Sequence, residues 1–301
     1  MTAEAAGALA LESAAWTQVL ARVKGQRDYG AGHLWLDLEV PARFVRPVPG
    51  QFVQLLLTPP SPVLLPRPMS VAGVRAAGTK TVLGFLYGPV GAGTCALAKL
   101  DAGDAVDVLG PLGRGYPLDV PGTPVLVAGG RGVAPLLFAA DGLRRRGRRC
   151  EFLFGARSKA QLVGLADARS RLERLGGRLH LATDDGSRGM KGHVVDLLDR
   201  VAGRLPRPLV IHACGPHGML KAVVEWALRN EVRANLAMES VMACGTGVCR
   251  GCPMPRSERA RRDYLRTRGD APSLYGNVEY AMCCTEGPVF AAEDLDWERV
   301  E

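Results

Sequence analysis

The sequence predicts a chain of three parts: an antiparallel β-barrel, a parallel-sheet α/β domain and a small cysteine-rich C-terminal domain. Short alternating apolar and polar runs, separated by Pro and Gly, predict the barrel. Buried-strand runs that alternate with helical stretches predict a parallel sheet with covered faces. Five of the eight cysteines lie between positions 244 and 284 and mark the third part. The expected boundaries are 1–15 for a flexible tail, 16–120 for the barrel, 121–233 for the α/β domain and 234–301 for the C-terminal domain.

The barrel contains a segment suited to a flavin. Its strands are predicted at 16–23, 33–40, 51–57, 69–74, 81–87 and 105–109. Arg67-Pro68-Met69-Ser70 stands on one of them, where an arginine can pair with a phosphate and a serine hydroxyl can hydrogen-bond a flavin ring nitrogen. The alternative for these four residues is an ordinary strand edge.

A glycine-rich loop at 88–94 follows the predicted strand 81–87. Gly91 and Gly93 expose backbone N–H groups, and Thr94 is a suitable N-cap for a short helix over 95–100. N–H groups at a helix N-terminus bind anions, so the loop suits a pyrophosphate. A glycine-rich hairpin loop is the alternative.

In the α/β domain, strands are predicted at 125–128, 151–154, 180–183 and 209–213. Helices are predicted at 133–146 and 218–229, a third helix follows the second strand and ends near 175, and a fourth begins near 193. Gly129, Gly130 and Gly132 form a variant of the dinucleotide-binding loop, although the strict G-x-G-x-x-G is missing. Cys214-Gly215-Pro216 ends another strand, which is where a nicotinamide lies in such sheets. For Cys214 the alternative is a small buried residue that fills space.

The cysteines of the third part have the spacing C-x4-C-x2-C at Cys244, Cys249 and Cys252, and Cys283 or Cys284 can supply a fourth ligand. This is the plant-type [2Fe–2S] spacing. Gly245, Gly247 and Gly251 are expected to allow the positive φ angles that a tight wrap around a cluster needs. A structural zinc site with four cysteine ligands is the alternative.

Composition excludes several functional classes. The net charge is +8, but no aromatic-rich basic stripe accompanies it, so nucleic-acid binding is not expected. No apolar run approaches 18 residues, so no membrane span is expected. The first fifteen residues lack the basic region of a signal peptide, and reduced thiols in a cytoplasm are expected. No nucleophile–base pair and no histidine pair with metal spacing is present, so bound cofactors are expected to carry the chemistry and no catalytic side chain is assigned.

Eight short motifs occur in order over nearly the whole chain: RPMS, GAGT, GPLGRGYPL, GGRGVAPL, DGSRGMKG, CGPHGML, ACGTGVCRGC and CCTEGPVF. Together they resemble the electron-transfer subunit of class 1B dihydroorotate dehydrogenase, in the ferredoxin–NADP reductase superfamily. The resemblance implies one FAD, one [2Fe–2S] cluster and NAD as the outer redox partner. It also implies that Cys284, which precedes TEGPVF, is the fourth ligand, with Cys283 as the second choice.

The same resemblance implies an oxidoreductase subunit that takes electrons singly from the FMN of a catalytic partner subunit and passes them through the cluster and FAD to NAD⁺. The partner oxidises dihydroorotate in pyrimidine biosynthesis, and a hetero-oligomer is implied. One alternative is a related subunit that serves ferredoxin, a hydrogenase or a sulfur-reducing partner. A second alternative is a redox-inert, zinc-stapled nucleotide-binding module.

The sequence departs from the family pattern at three places. Arg131 stands where an aliphatic residue is usual, and Arg157-Ser158 could hold a 2′-phosphate, which leaves NADP as an alternative to NAD. The 31 residues between Cys252 and Cys284 form a longer connection than is usual and include the basic run 256–268. We interpret this run as a solvated surface segment, with a docking surface for an acidic partner as the alternative.

Overall fold

The structure, a computed structural model, describes residues 16–58, 61, 63–268 and 276–300. The expected N-terminal tail lies outside these residues. The first part contains seven strands and one short helix. These elements are β1 (Thr17–Gly30), β2 (His33–Val40), β3 (Phe52–Leu57), β4 (Arg67–Ser70), β5 (Gly73–Ala77), β6 (Lys80–Tyr87), α1 (Ala92–Leu97) and β7 (Ala105–Leu112).

The seven strands form one antiparallel sheet in the order β4-β3-β7-β1-β2-β6-β5. The sheet curls, and the chain crosses from one edge strand to the other at Val71 and Ala72, whose N–H groups donate to the Gln51 carbonyl at 3.1 Å and to the Gly84 carbonyl at 2.8 Å. The predicted antiparallel barrel is confirmed. The run predicted as one strand at 69–74 is two strands, since the chain crosses between the two sheet edges at residues 71 and 72.

The second part alternates strands and helices as predicted. Its elements are β8 (Thr123–Gly129), α2 (Val133–Arg145), β9 (Glu151–Ala156), α3 (Leu165–Leu175), β10 (Arg178–Thr183), β11 (Met190–Lys191), α4 (Val194–Ala202), β12 (Leu209–Cys214), α5 (His217–Arg229) and β13 (Arg233–Ala237). These strands are parallel, in the order β11-β10-β9-β8-β12-β13. The order reverses between β8 and β12, and a crevice at such a switch point is where open α/β sheets bind ligands.

The C-terminal part is more regular than its sequence indicates. It contains β14 (Pro253–Pro255), α6 (Glu258–Arg268), β15 (Tyr280–Met282) and β16 (Val289–Ala291). β14 and β15 form a two-stranded antiparallel sheet, while β16 joins the large sheet antiparallel to β13. The predicted boundary between residues 233 and 234 therefore falls inside a strand of the large sheet.

The basic run 256–268 lies at the surface with Arg262 and Arg266 exposed, but one face of its helix packs against the domain. Helix α6 buries Ala260 and Tyr264, and Arg256, just before it, is only 9% exposed. Charged residues elsewhere in the C-terminal part pair with the helix, as Arg259 does with Glu293 at 3.0 Å. Three arginines, Arg256, Arg259 and Arg261, pair with acidic residues outside the helix and hold it against its own domain. Arg262 and Arg266 pair within the helix and stay exposed.

The barrel and the α/β domain are joined by partly buried polar contacts. Arg171 of α3 donates to the Ala72 carbonyl of the barrel at 3.2 Å and to Asp141 at 2.5 Å. Tyr29 of β1 donates to Asp167 at 2.6 Å. Within the described ranges, none of the helices is both long and apolar enough to cross a membrane.

His212 lies in the middle of β12 and is 1% exposed. Its Nδ1 atom has no hydrogen-bond partner within the described part of the chain, and its ring lies edge-on to Tyr116 with centroids 5.2 Å apart. Burial, and secondarily the charge of Arg148, lower the pKa of His212 to about 3. The native histidine is therefore neutral at physiological pH.

Acidification should destabilise the fold through His212, because only the unfolded state takes up its proton between the two pKa values. Lowering the pH from 7.5 to 5.5 should reduce the free energy of unfolding by about 1.4 kcal/mol through this residue. His212→Leu should remove that part of the loss in denaturant titrations at both pH values. His33→Gln, which changes a partly exposed histidine, should retain it, and an undiminished loss in His212→Leu would contradict the assignment.

Candidate functional site

The cysteine loop lies between β13 and β14, and Cys284 follows β15. Cys249 is exposed and Cys244 is half-buried, whereas Cys252 and Cys284 are buried. The Cys284 N–H donates to the Cys252 sulfur at 3.4 Å. The Cys249 N–H donates to the Cys244 sulfur at the same distance. The four predicted ligands are thus linked in two pairs by backbone hydrogen bonds.

Further N–H groups point at the sulfurs. Thr246 N–H donates to Cys244 and Gly251 N–H donates to Cys249, both at 3.4 Å. Hydrogen bonds to ligand sulfurs stabilise a negatively charged cluster and tune its potential. These donors fit an iron–sulfur group held by the loop.

The sulfurs also affect one another's ionisation. The Cys284 thiol hydrogen-bonds to Cys252 and lowers the pKa of Cys252 to about 7, while the same bond raises the pKa of Cys284. Burial opposes ionisation of Cys244, but N–H groups, chiefly those of Cys249 and Thr246, lower its pKa to about 6. Two of the four thiols are therefore poised to become thiolates, the form that binds metal.

Cys283 has a different environment from Cys284. Its sulfur points at the Met238 carbonyl, 3.9 Å away, and burial raises the pKa of this thiol. This geometry supports Cys284 as the fourth ligand. Within the described ranges, no group of three or more His, Cys, Asp or Glu side chains has the arrangement that holds a metal ion. The contacts that relate these sulfurs are instead pairwise, Cys244 with Cys249 and Cys252 with Cys284.

Positive φ angles in the loop only partly follow the prediction. Gly245 and Gly247 have φ of +76° and +87°, as expected, but Gly251 does not have a positive φ. Arg250 has φ of +53° instead. A non-glycine residue in this region costs about 1–2 kcal/mol, so the loop holds Arg250 in a strained conformation.

The two segments predicted to hold a flavin lie side by side. β4 carries Arg67, Pro68, Met69 and Ser70, and an added Cβ at Gly93 would lie 3.1 Å from Arg67 Cδ. The stem of Arg67 therefore lies against the glycine-rich loop. Only a residue without a side chain allows this approach without displacing the arginine.

The prediction that Thr94 caps a helix over 95–100 is wrong. Helix α1 begins three residues earlier, and Gly91 is its N-cap. The Thr94 hydroxyl accepts hydrogen bonds from the N–H groups of Val90 and Gly91, at 3.0 and 3.1 Å. Thr94 therefore fixes the turn, and these two N–H groups are already used within the loop.

A cavity of about 880 Å³ opens at the carboxyl ends of β8, β9 and β12. The predicted residues Gly129, Gly130, Gly132, Gly215 and Pro216 all line it. The size and position suit a dinucleotide at the switch point of the sheet. The glycine-rich loop after β8 and the residues that follow β12 therefore lie together at this cavity, as the sequence predicted.

Cys214 is buried and is not among the residues that line this cavity. Its carbonyl is the reason that Gly132 has no side chain, because an added Cβ at Gly132 would lie 2.1 Å from the Cys214 oxygen. The geometry favours the space-filling alternative for the Cys214 thiol. The main chain of Cys214 supports the loop instead.

Gly132→Ala should lower the free energy of unfolding by about 3 kcal/mol, near the upper end of the usual cost of overpacking. It should also weaken NADH binding, because the loop must move away from β12. Gly203→Ala, at the end of α4 and not among the residues that line the cavity, is the matched control, since an added Cβ there meets only the Asp199 carbonyl at 3.9 Å, an ordinary contact distance. Thermal unfolding and NADH titration measure both effects, and equal behaviour of the two variants would contradict the steric argument.

Several residues at the cavity were not predicted. His33 reaches it from the barrel, and Asp184 and His193, which pair at 3.2 Å, reach it from the end of β10 and the start of α4. Glu239, just before the cysteine loop, also lines it. One signal for these residues was present in the sequence, the position of Asp184 at the end of a predicted strand. The positions of His33, His193 and Glu239 at the cavity depend on how the three parts of the chain meet.

Arg131 and Arg157 both line the cavity and are exposed. Arg131 approaches the glycine-rich flavin loop, since an added Cβ at Gly88 would lie 3.3 Å from its Nη1 atom. Arg157 directly follows β9, and its side chain has no hydrogen bond or ion pair to any described residue. Both guanidinium groups are available to a negatively charged ligand.

Comparison with known proteins gives consistent matches. A family profile described as the iron-sulfur cluster binding domain of dihydroorotate dehydrogenase B matches residues 239–296. The dihydroorotate dehydrogenase B (NAD(+)) electron transfer subunit of Desulforamulus reducens is 32% identical over 265 residues, which cover 88% of this chain and 92% of the relative. The same subunit of Geobacillus thermodenitrificans is 35% identical over 252 residues, covering 82% and 86%.

Solved structures also match. The structure of an NADH-dependent reduced ferredoxin-NADP oxidoreductase, studied for flavin-based electron bifurcation, has a TM-score of 0.75 and 26% identity, covering 94% of this chain and 91% of that chain. A ferredoxin NADP⁺ reductase from Neisseria gonorrhoeae has a TM-score of 0.59 and 18% identity, covering 70% and 91%. The second match concerns the fold alone.

Proposed function

Because this chain belongs to the family of the dihydroorotate dehydrogenase B electron transfer subunits, we propose that it passes electrons from an FMN-containing catalytic subunit to NAD⁺ in pyrimidine biosynthesis. The observation that carries the proposal is the position of the barrel. Its β3 contacts the cysteine loop through Gln54, and its β2 reaches the nucleotide cavity through His33. A flavin held by the barrel is thus adjacent to a one-electron and a two-electron site.

The residues that would hold each group are these. Cys244, Cys249, Cys252 and Cys284 would hold the [2Fe–2S] cluster; Arg67, Pro68, Met69, Ser70, Gly91, Gly93 and Thr94 would hold FAD; and Gly129, Gly130, Gly132, Gly215 and Pro216 would hold the nicotinamide nucleotide. A flavin accepts electrons singly or in pairs, which is the chemistry needed between a cluster and a nicotinamide. The side chains named here would bind and orient these groups.

We place the division between the second and third parts after Ala237. β13 ends there, and its five residues pair with β12 in the parallel sheet. The chain then enters the cysteine loop. The remaining boundaries stay as predicted from the sequence, at residues 15 and 16 and at residues 120 and 121.

The catalytic subunit would dock at the cysteine loop. Val241 and Val248 are 87% and 83% exposed, and they flank Cys244 in sequence while Val248 adjoins the exposed Cys249. Exposed apolar side chains of this kind are suited to a protein interface. All eight cysteines are free thiols, which supports a reducing compartment, the cytoplasm, for the complex.

The nicotinamide preference depends on Arg157. Proteins of this architecture commonly place an acidic residue near the end of the second strand for the ribose of NAD, or an arginine for the 2′-phosphate of NADP. Here Arg157 follows β9, the second strand of the parallel sheet in chain order, so NADP stays an alternative to NAD. Steady-state assays with NADH and NADPH at equal concentrations decide between them.

The function is tested by mixing this chain anaerobically with the catalytic dihydroorotate dehydrogenase subunit from the same source. Dihydroorotate and NAD⁺ are supplied, NADH formation is followed, and NADH-driven dye reduction by this chain alone is the control. NADH formation that requires both proteins is the expected result. Absence of both activities in folded, cofactor-loaded protein would overturn the proposal.

One observation favours a second candidate. The structure that covers 94% of this chain is that of an NADH-dependent reduced ferredoxin-NADP oxidoreductase. A ferredoxin-linked role therefore predicts dye and ferredoxin reduction by NADH without any dihydroorotate-linked NADH formation. A colourless, zinc-containing protein would instead support the redox-inert alternative.

A further inference from the structure

The outer face of β3 and β7 packs against the C-terminal part. Val53 and Leu55 of β3 point into the barrel core, so the residues between and beside them point outward. Phe52 and Leu112 belong to the same apolar cluster as Cys252 and Cys284. β3 and β7 thus contribute side chains both to the barrel and to the domain of the cysteine loop.

Gln54 is a polar residue in this apolar contact. It is 1% exposed, and its Nε2 atom donates to the Ala243 carbonyl, next to Cys244, at 3.3 Å. An added Cβ at Gly245 would lie 2.8 Å from both Cγ and Nε2 of Gln54. The glutamine therefore touches the loop on both sides of Cys244, and a glycine at 245 is needed for that approach.

The same residue is part of the strand pair assigned to the flavin. In the antiparallel register of β3 and β4, Gln54 lies opposite Pro68, and its neighbours in β3 lie opposite Arg67 and Met69. A displacement of Gln54 is therefore transmitted directly to β4. Gln54 therefore contacts the cysteine loop through its side chain and pairs with β4 through its main chain.

Folding stability alone does not account for an amide at this position. The Gln54 Oε1 atom is buried, and none of the described residues provides it with a hydrogen-bond partner. An apolar side chain of the same length would fill the space without burying an unused acceptor. Buried polar atoms without a partner are rare in folded proteins, and those that persist commonly have a role other than stability.

We propose that Gln54 is a positioning residue that fixes the cluster loop relative to the flavin-binding strands and so controls electron exchange between the two groups. The inference rests on the proposed function. In the direction that is tested, FAD bound by the barrel would accept a hydride, which is two electrons and one proton, from NADH. A [2Fe–2S] cluster bound by the four cysteines would accept one of these electrons while the other stays with the flavin, and no covalent bond would form or break in that second transfer.

The test uses full-length holoprotein with Gln54→Met, which keeps the length of the side chain and removes both the donor and the acceptor. Val19→Ala is the matched control, because it truncates a barrel-core residue of β1, a strand that pairs with β2 and β7 and lies outside the β3–β4 pair. Anaerobic stopped-flow mixing with NADH separates flavin bleaching from cluster reduction. The electron paramagnetic resonance spectrum of the dithionite-reduced cluster is recorded for each protein.

In Gln54→Met, cluster reduction should slow about tenfold, equivalent to about 1.4 kcal/mol in the barrier, while flavin bleaching keeps its wild-type rate. The resonance g values should shift, because the environment of Cys244 changes. In Val19→Ala both rates and the spectrum should match wild type despite lower thermal stability.

Cluster reduction within about twofold of wild type in Gln54→Met, with unchanged g values, would overturn the role of Gln54. Slowing of the same size in Val19→Ala would reduce that role to general stability and overturn it equally. Wild-type protein whose cluster NADH does not reduce would refute the proposed function itself.

Discussion

Cys249→Ser is expected to abolish NADH formation from dihydroorotate while the protein keeps its FAD. Cys249 is the exposed member of the proposed ligand set, and serine removes a sulfur that receives the Gly251 N–H. Loss of a residue that only hydrogen-bonds a metal ligand lowers metal affinity or activity about 10- to 100-fold, so loss of a ligand should lower activity by at least about a hundredfold. The flavin segments, β4 and α1, are distant from Cys249 in sequence and do not depend on it for their hydrogen bonds.

The measurement combines iron content, visible absorbance and the two-protein assay. Cys283→Ser is the control, because it changes the neighbouring thiol and offers a hydroxyl to the Met238 carbonyl that Cys283 already approaches. It should retain iron and activity. Iron loss in Cys283→Ser with retention in Cys284→Ser would reverse the ligand assignment, and loss of FAD from Cys249→Ser would show that the two sites fold as one unit.

Arg256→Ala is expected to lower the free energy of unfolding by about 3–5 kcal/mol, the usual cost of breaking a buried ion pair. Arg256 pairs with Glu286, donates to the Asn277 carbonyl at 2.9 Å and stacks on Tyr264 at 4.7 Å from the ring centroid. The arginine and glutamate side chains are 11% and 14% exposed. Because Glu286 is two residues after Cys284, the cluster should be lost as well.

Arg262→Ala is the matched control from the same basic run. Arg262 is 71% exposed and pairs only with Glu258, one helical turn earlier, and such exposed pairs contribute about 0–1 kcal/mol. Thermal unfolding and iron content should separate the two variants clearly. Similar stability of both would mean that Arg256 is not the anchor of this segment, and the docking alternative for the basic run would regain support.

The sequence was sufficient for the parts of the fold that depend on periodicity. Strand β2 was predicted at its observed bounds, because alternation and a flanking glycine define it locally. The dinucleotide cavity was also predictable, since glycines at 129, 130 and 132 directly follow a buried strand. These features are properties of neighbouring residues.

Features that depend on distant contacts were not predictable. Helix α6 was missed because its arginines are balanced by acidic residues far away in sequence, such as Glu279, 3.4 Å from Arg261. The role of Thr94 was misjudged because the helix begins at Ala92 rather than at residue 95. The exclusion of Cys214 from the cavity follows from the packing of two loops, which no single stretch of sequence contains.

Strand β16 has a consequence for how this protein can be divided or recombined. The family profile covers residues 239–296 as a unit, but Val289–Ala291 inside it completes the sheet that begins at β8. A gene fragment encoding that unit alone would leave β16 without its neighbour and would leave β13 as an open edge in the remainder. Chimaeras that exchange the C-terminal part between relatives should therefore exchange β13 together with β16, because these two strands pair with each other in the large sheet.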